Sequence, residues 1–189
     1  MQPTVTAALT RALFEEWAAR GYAAISLERV AKTAGVGKAA LYRRWSSKLA
    51  MVSECSEQLG IELATIPDTG TLEGDVRKLL GGLRRLLRHP IVSRILPDLH
   101  AEMPRNPELA QAIRGRLQTE RRRRAATIVE RGIARGELDE RVDPELVNDI
   151  LGGVIYWRMI VTGGQADSRY LDRLTRFVVA GIREQVSRE

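Results

Sequence analysis

Ser26, Lys38, Tyr42, Arg43 and Lys48 are among the side chains between residues 26 and 48 able to hold an anion. Lys38 and Tyr42 stand four apart with Ala39 and Arg43 beside them, so on a helix they share one face. Cations arranged this way neutralise backbone phosphates, and a lysine on such a face can donate to a base edge. Residues 26–50 carry six cations against the single anion Glu28, a net +5 of the chain's formal +6. Excess charge gathered in so short a stretch points it at a polyanion.

Other chemistries fail on composition or spacing. Gly35-Val36-Gly37-Lys38 imitates the end of a phosphate-binding loop, but Lys32 stands where that pattern needs glycine and Ala39 where it needs serine or threonine. His89 and His100 are the only histidines and have no ligand-spaced partners, so neither a metal site nor a cofactor is expected. Cys55 is the only cysteine, which excludes an internal disulfide and suits a reducing cytoplasm. The run Arg121–Arg124 would point all round a helix and reads as a solvated face. With no catalytic constellation, an enzyme is not expected.

The elements that must position the basic face can be read from the same stretch. Ser26 is a helix N-cap, and Leu27, Val30, Ala31 and Ala34 follow at helical spacing. Gly35 closes that helix, Val36 plugs the turn, and a second helix begins at Gly37 or Lys38 with Leu41 and Trp45 facing inward. Ser46 or Ser47 caps a further helix. Lys48 in its first turn opposes the helix dipole, which suits an anion contact better than helix stability. Two short helices about a glycine turn, with a basic outer face, form a helix-turn-helix. Residues 4–20 supply the supporting helix, and the expected core is Leu9, Leu13, Trp17, Val30, Leu41 and Trp45.

The rest of the chain is expected to be helical, making the class all-α. The expected divisions are a DNA-binding part at 1–48, a connecting helix at 49–66, and a bundle at 67–189. Pro67-Asp68-Thr69-Gly70 is the turn cluster beside the boundary. Pro97 and Pro104 predict a short, broken segment, and Asn106-Pro107 opens a helix running to about Arg135. Asp143-Pro144 opens the next, and a last helix covers about 168–186. At 44% hydrophobic and 29% charged the chain can bury a core, while no apolar run is long enough to span a membrane. No secretory signal is visible at the N-terminus.

Two apolar stripes run along the segment Leu146–Val161: Leu146, Ile150, Val154, Trp157, Val161, and Val147, Leu151, Ile155. Faces on two sides predict neighbours on two sides. A homodimer is favoured over a buried monomeric pair, its interface expected from Val147, Leu151, Ile155, Leu171, Leu174, Val178 and Ile182. Candidates for a small-molecule pocket among the helices are Leu83, Leu87, Leu99, Met103, Ile113, Leu117, Ile150, Trp157 and Arg158.

Gly21, Ser26, Leu27, Val30-Ala31, Ala34-Gly35-Val36-Gly37, Leu41-Tyr42, Trp45 and Lys48 together resemble the TetR family of bacterial regulators. The likeness spans residues 9–52. The turn at 135–138 and the following Val142-Asp143-Pro144-Glu145-Leu146 resemble one type of ligand domain within it. The resemblance implies an N-terminal three-helix DNA-binding domain and a C-terminal ligand-binding and dimerisation bundle. It implies a repressor that binds a palindromic double-stranded operator as a dimer and is released by a small-molecule effector. Carried over by position, Gly37, Lys38, Ala39, Tyr42 and Arg43 meet DNA, with Ser26 and Lys48 on phosphate. Ala39 and Ala40 offer only methyl contacts, so hydrogen-bonded base reading rests on Lys38, while Glu28 repels phosphate. The alternative is a helical protein-interaction module without specific DNA binding, which steep salt dependence of binding to a duplex would exclude.

Overall fold

The computed structural model describes residues 3–62, 68–115 and 119–184, an assembly of helices with no strand among the described residues. In chain order they are α1 (Pro3–Arg20), α2 (Leu27–Thr33), α3 (Lys38–Arg44), α4 (Lys48–Glu62), α5 (Leu72–Leu87), α6 (Val92–Glu102), α7 (Pro107–Ile113), α8 (Thr119–Ala134), α9 (Pro144–Tyr156) and α10 (Ser168–Glu184). A π-helical turn, Trp157–Val161, continues α9. The all-α expectation holds.

The chain forms two compact units, residues 1–61 with 89–117 and residues 62–88 with 118–189. In the first, all six expected core residues are at most 2% exposed. Gly21 and Gly35, the two stop signals of the motif region, do adopt positive φ. At Gly35 the backbone N–H of Val36 reaches the carbonyl of Ala31 (2.9 Å) and that of Gly35 reaches Lys32 (3.1 Å). This paired closure requires a left-handed residue after the helix, and glycine supplies it without a Cβ penalty. Gly21 has a second reason to be glycine, since a Cβ there would lie 2.8 Å from Asp98 Oδ1.

Asp98 marks the main departure from the expected divisions. Residues 89–115 were expected in the C-terminal bundle, and of these α6 packs with α1. Ile95, Leu99, Leu109 and Ile113 complete the first unit's core. Asp98 Oδ2 accepts from Trp17 Nε1 (2.6 Å) and from the backbone N–H of Tyr22 (2.8 Å). No sequence period signals such a pairing, because its partners are about eighty residues apart. Two helix expectations also change. Pro97 lies inside α6, where it removes one backbone bond without breaking the helix, and the break falls at Pro104 instead. The single helix expected from Asn106 to Arg135 is represented by α7 and α8, which fall in different units, with 116–118 outside the described residues. Asn106 caps α7 by accepting from Leu109 N–H at 3.0 Å.

The second unit packs α5 against α8, α9 and α10. Its start is pinned by a buried carboxylate. Asp75 is fully buried, accepts from the backbone N–H and hydroxyl of Thr69 (2.6 and 2.8 Å), and meets Arg135 at 3.2 Å. Arg135 also pairs with Glu137 (2.6 Å), which in turn accepts from Leu72 N–H at 3.0 Å. The turn at 135–138, singled out from sequence, thus clamps the first turn of α5. Burial works against charge on Glu137, but the Leu72 N–H and Arg135 outweigh it and hold its carboxyl below the ordinary value.

Candidate nucleic-acid interface

α3 presents the basic face in the arrangement its spacing predicts. Leu41 is fully buried and Trp45, at the helix C-cap, is 2% exposed, while Lys38, Ala39, Tyr42 and Arg43 lie together on the outer side. Gly37 is the N-cap residue, in extended conformation with no side chain to cap with. Trp45 is held by its indole N–H donating to Glu54 Oε2 at 3.0 Å, and the same carboxylate pairs with Arg44. The anchor fixes the rotation of α3, and that rotation decides which side chains face outward.

The charge on this face is smaller than the local sequence suggests. Arg29 Nη2 lies 2.6 Å from Glu16 Oε1, and Arg44 is paired with Glu54. Both carboxylates come from neighbouring helices outside the 26–44 stretch, so counting along that stretch misses them. Burial opposes the charge on Glu16, but Arg29, Ser26 N–H and Arg20 together keep its carboxyl below the usual value. Half-exposed ion pairs of this kind stabilise little and mainly orient side chains. Among the described residues, Arg29, Lys38 and Arg44 of α2 and α3 are in ion pairs, and Lys32 and Arg43 are the outward cations outside them.

Lys38 is held too. Its Nζ lies 2.7 Å from Glu28 Oε1, with both side chains more than half exposed, and 5.8 Å from the Tyr42 ring centre. Glu28 Oε2 accepts from the Ser26 hydroxyl at 3.1 Å. Ser26 is the N-cap of α2 as expected, its oxygen accepting from Arg29 N–H at 3.4 Å. The hydrogen bond from Lys38 lowers the Glu28 pKa, the bond from Ser26 adds to this, and the Lys38 pKa is raised in return.

Both residues expected on phosphate, Ser26 and Lys48, also have partners within the chain. The single hydroxyl proton of Ser26 is directed to Glu28, not outward. Lys48 Nζ donates to the carbonyls of Tyr22 (2.9 Å) and Ala23 (3.1 Å) and lies 4.4 Å from the Tyr22 ring centre. It braces the turn between α1 and α2, leaving one of its three protons for another acceptor.

In the second unit the two stripes of α9 are present with their faces exchanged. Val147, Leu151, Ile155, Leu171, Leu174, Val178 and Ile182 are all at most 8% exposed within one chain. They are core of the protomer and cannot be its interface. The outward stripe is Leu146, Val154, Trp157 and Val161, joined on α10 by Phe177, which is 78% exposed. Hydrophobic period locates stripes; it does not say which one the chain's own helices cover.

The described pocket candidates are divided between the two units. Leu99 and Ile113 are buried in the first unit's core with Met103 against it, and Leu87 is buried in the second unit. Leu83 is half-buried on α5, and Leu117 lies outside the described residues. Ile150, Trp157 and Arg158 do meet, in an open groove of about 610 Å³ shared with Asp149, Val154 and Tyr170. Arg158 Nε donates to Gln165 O at 3.1 Å and its guanidinium lies 5.0 Å from the Tyr170 ring centre. No described helix is long and apolar enough to cross a membrane.

Comparison with known proteins supports the two-part organisation. Residues 9–55 match the model for bacterial regulatory proteins of the tetR family. Residues 66–178 match a tetracyclin repressor-like C-terminal domain. The chain is 27% identical over 175 residues to the transcriptional regulator YdeS of Bacillus subtilis, covering 93% of this chain and 88% of that one. It is 28% identical over 172 residues to the DNA-binding transcriptional repressor TetR of Mycobacteroides abscessus, covering 90% of each. Among solved structures, the TetR family regulator SCO0332 superposes with a TM-score of 0.74 at 27% identity, covering 94% of this chain and 97% of that one.

Proposed function

The chain belongs to the tetR family of bacterial regulatory proteins, and from that premise we propose a dimeric repressor that binds a palindromic operator and is released by a small molecule. The observation that carries the DNA reading is the outward face of α3, where Lys38, Ala39, Tyr42 and Arg43 stand on a helix locked by Leu41 and Trp45. A rigid helix with its cations outward enters a major groove as one body. Tyr42 and Arg43 grip backbone, and Lys38 reads a base edge. Ala39 adds a methyl contact of the kind thymine offers.

The dimer reading rests on the exposed stripe of α9. Leu146, Val154, Trp157 and Val161 lie on one helical face, between 36% and 62% exposed, and would be unusual as solvent-facing surface in such a row. Gly153 and Gly181 have open space where a Cβ would stand, which permits close approach of a second backbone. A second copy occupies this face, and Phe177 of α10 joins the contact. The effector reading draws on family membership.

Selection of duplexes from a random pool by the full-length protein, followed by titration in salt, tests the proposal. The expected result is an enriched inverted repeat whose association constant falls steeply with salt, by several counterions. Absence of any enriched sequence, or binding indifferent to salt, would remove the DNA reading.

A further inference from the structure

Glu28 is the one anion on the outward surface formed by α2 and α3, and it is joined to two of the side chains proposed to meet DNA. We infer that Glu28 is a specificity-determining residue: with Lys38 it forms a paired acceptor and donor that together read one G·C pair in each half-site. The inference rests on the DNA-binding reading of α3.

The argument begins with what Glu28 occupies. One carboxylate oxygen takes a proton of Lys38 at 2.7 Å and the other takes the hydroxyl proton of Ser26 at 3.1 Å. A carboxylate here stands in for a nucleic-acid anion, filling the donors that a phosphate would otherwise recruit. Its depressed pKa has the same origin, and it is ionised at neutral pH. A phosphate that approaches this corner meets a like charge and must compete with an existing acceptor. Non-specific DNA, which offers only phosphates at arbitrary register, gains nothing by the exchange.

A base pair with both acceptors on the purine and the donor on the pyrimidine is different. In the major groove G·C presents the guanine O6 and N7 acceptors beside the cytosine N4 amino donor. Lys38 has two protons left after Glu28 and donates them to guanine. The Glu28 carboxylate has lone pairs left after Lys38 and Ser26 and accepts from the cytosine amino group. Both members are satisfied without separating the pair. An A·T pair carries its amino donor on adenine N6, between the acceptors adenine N7 and thymine O4, so with Lys38 on the purine the Glu28 carboxylate meets the thymine O4 acceptor instead of a donor. Because Glu28 lies on α2 and Lys38 on α3, the pair also ties the base reader to the helix that crosses the backbone.

The test uses the full-length protein, the duplex selected by the unsubstituted protein, and a scrambled duplex of equal length. Glu28→Gln keeps the shape and removes the charge. It is expected to tighten binding to the scrambled duplex about tenfold and to the selected duplex less, so that discrimination falls. Re-selection with Glu28→Gln should lose a G·C preference at one position per half-site, the same position that Lys38→Ala relaxes. Thermal melts of Glu28→Gln and Glu28→Ala check folding, which should not change since the side chain is exposed. Equal tightening on both duplexes with an unchanged selected sequence would overturn the inference, reducing Glu28 to simple repulsion. A parent protein that enriches no duplex would instead overturn the DNA reading beneath it.

Discussion

Replacing Asp98 with alanine tests whether α6 is a working part of the N-terminal unit. The carboxylate accepts two hydrogen bonds, from the Trp17 indole at 2.6 Å and the Tyr22 backbone at 2.8 Å. Both donor residues are at most 3% exposed. A hydrogen bond to a charged group contributes about 1.5–3 kcal/mol, and a donor left buried without an acceptor costs about 1–3 kcal/mol. The two bonds share one oxygen and Asp98 is only half-buried, so water recovers part of the loss. We expect Asp98→Ala to cost about 2–4 kcal/mol, a large fraction of a typical domain stability. For a chain of this length that lowers Tm by roughly 4–16 °C, measured by circular dichroism or calorimetry. Asp98→Asn keeps a neutral acceptor and should cost roughly half as much. Gly21→Ala adds left-handed strain at φ +79° and an approach of 2.8 Å to Asp98 Oδ1. Its combination with Asp98→Ala should therefore cost less than the sum. A Tm within about 1 °C of the parent for Asp98→Ala, against the several degrees expected, would refute the reasoning. So would Asp98→Asn melting below Asp98→Ala.

Three further outcomes follow from the geometry. Lys48→Ala removes donors to the Tyr22 and Ala23 carbonyls and should cost about 1–2 kcal/mol in a urea melt, while weakening all DNA sequences alike; selective loss at one base position would contradict the brace. Phe177→Asp places a charge on the most exposed aromatic of α10, and sedimentation should shift from a dimer toward the 21.1 kDa protomer with the helical signal intact; a dimer that persists would move the interface elsewhere. The Glu137 carboxyl titrates below its ordinary value of 4.5, so its contribution is present above that pH and is lost as pH falls through the folded-state value. Denaturant midpoints should therefore fall more steeply on acidification below about pH 4.5 in the parent than in Glu137→Gln, and parallel curves would exclude Glu137 as a source of the acid sensitivity.

The fold was legible wherever a signal is local. The caps at Ser26 and Asn106, the glycine stops at 21 and 35, and the apolar spacing of Leu9, Leu13 and Trp17 each act within a turn or two of helix. They fixed the helices and the inward side of α3, and with them the outward set Lys38, Ala39, Tyr42 and Arg43. Composition narrowed the outline further, since a single cysteine cannot form an internal disulfide.

Tertiary structure decided what depends on partners distant in sequence. Glu16 and Glu54 neutralise Arg29 and Arg44 from other helices, and Asp98 brings α6 to α1. A charge count along a window is blind to all three. The stripes of α9 show the limit most clearly. Their 3.6-residue period was correct, yet Val147, Leu151 and Ile155 are core while Leu146, Val154 and Trp157 face outward. Periodicity fixes the angle between two apolar faces of a helix, whereas only the packing of the remaining helices chooses which one they cover. The same holds at the motif: the sequence determined that Lys38 faces out, and the fold alone placed Glu28 beside it.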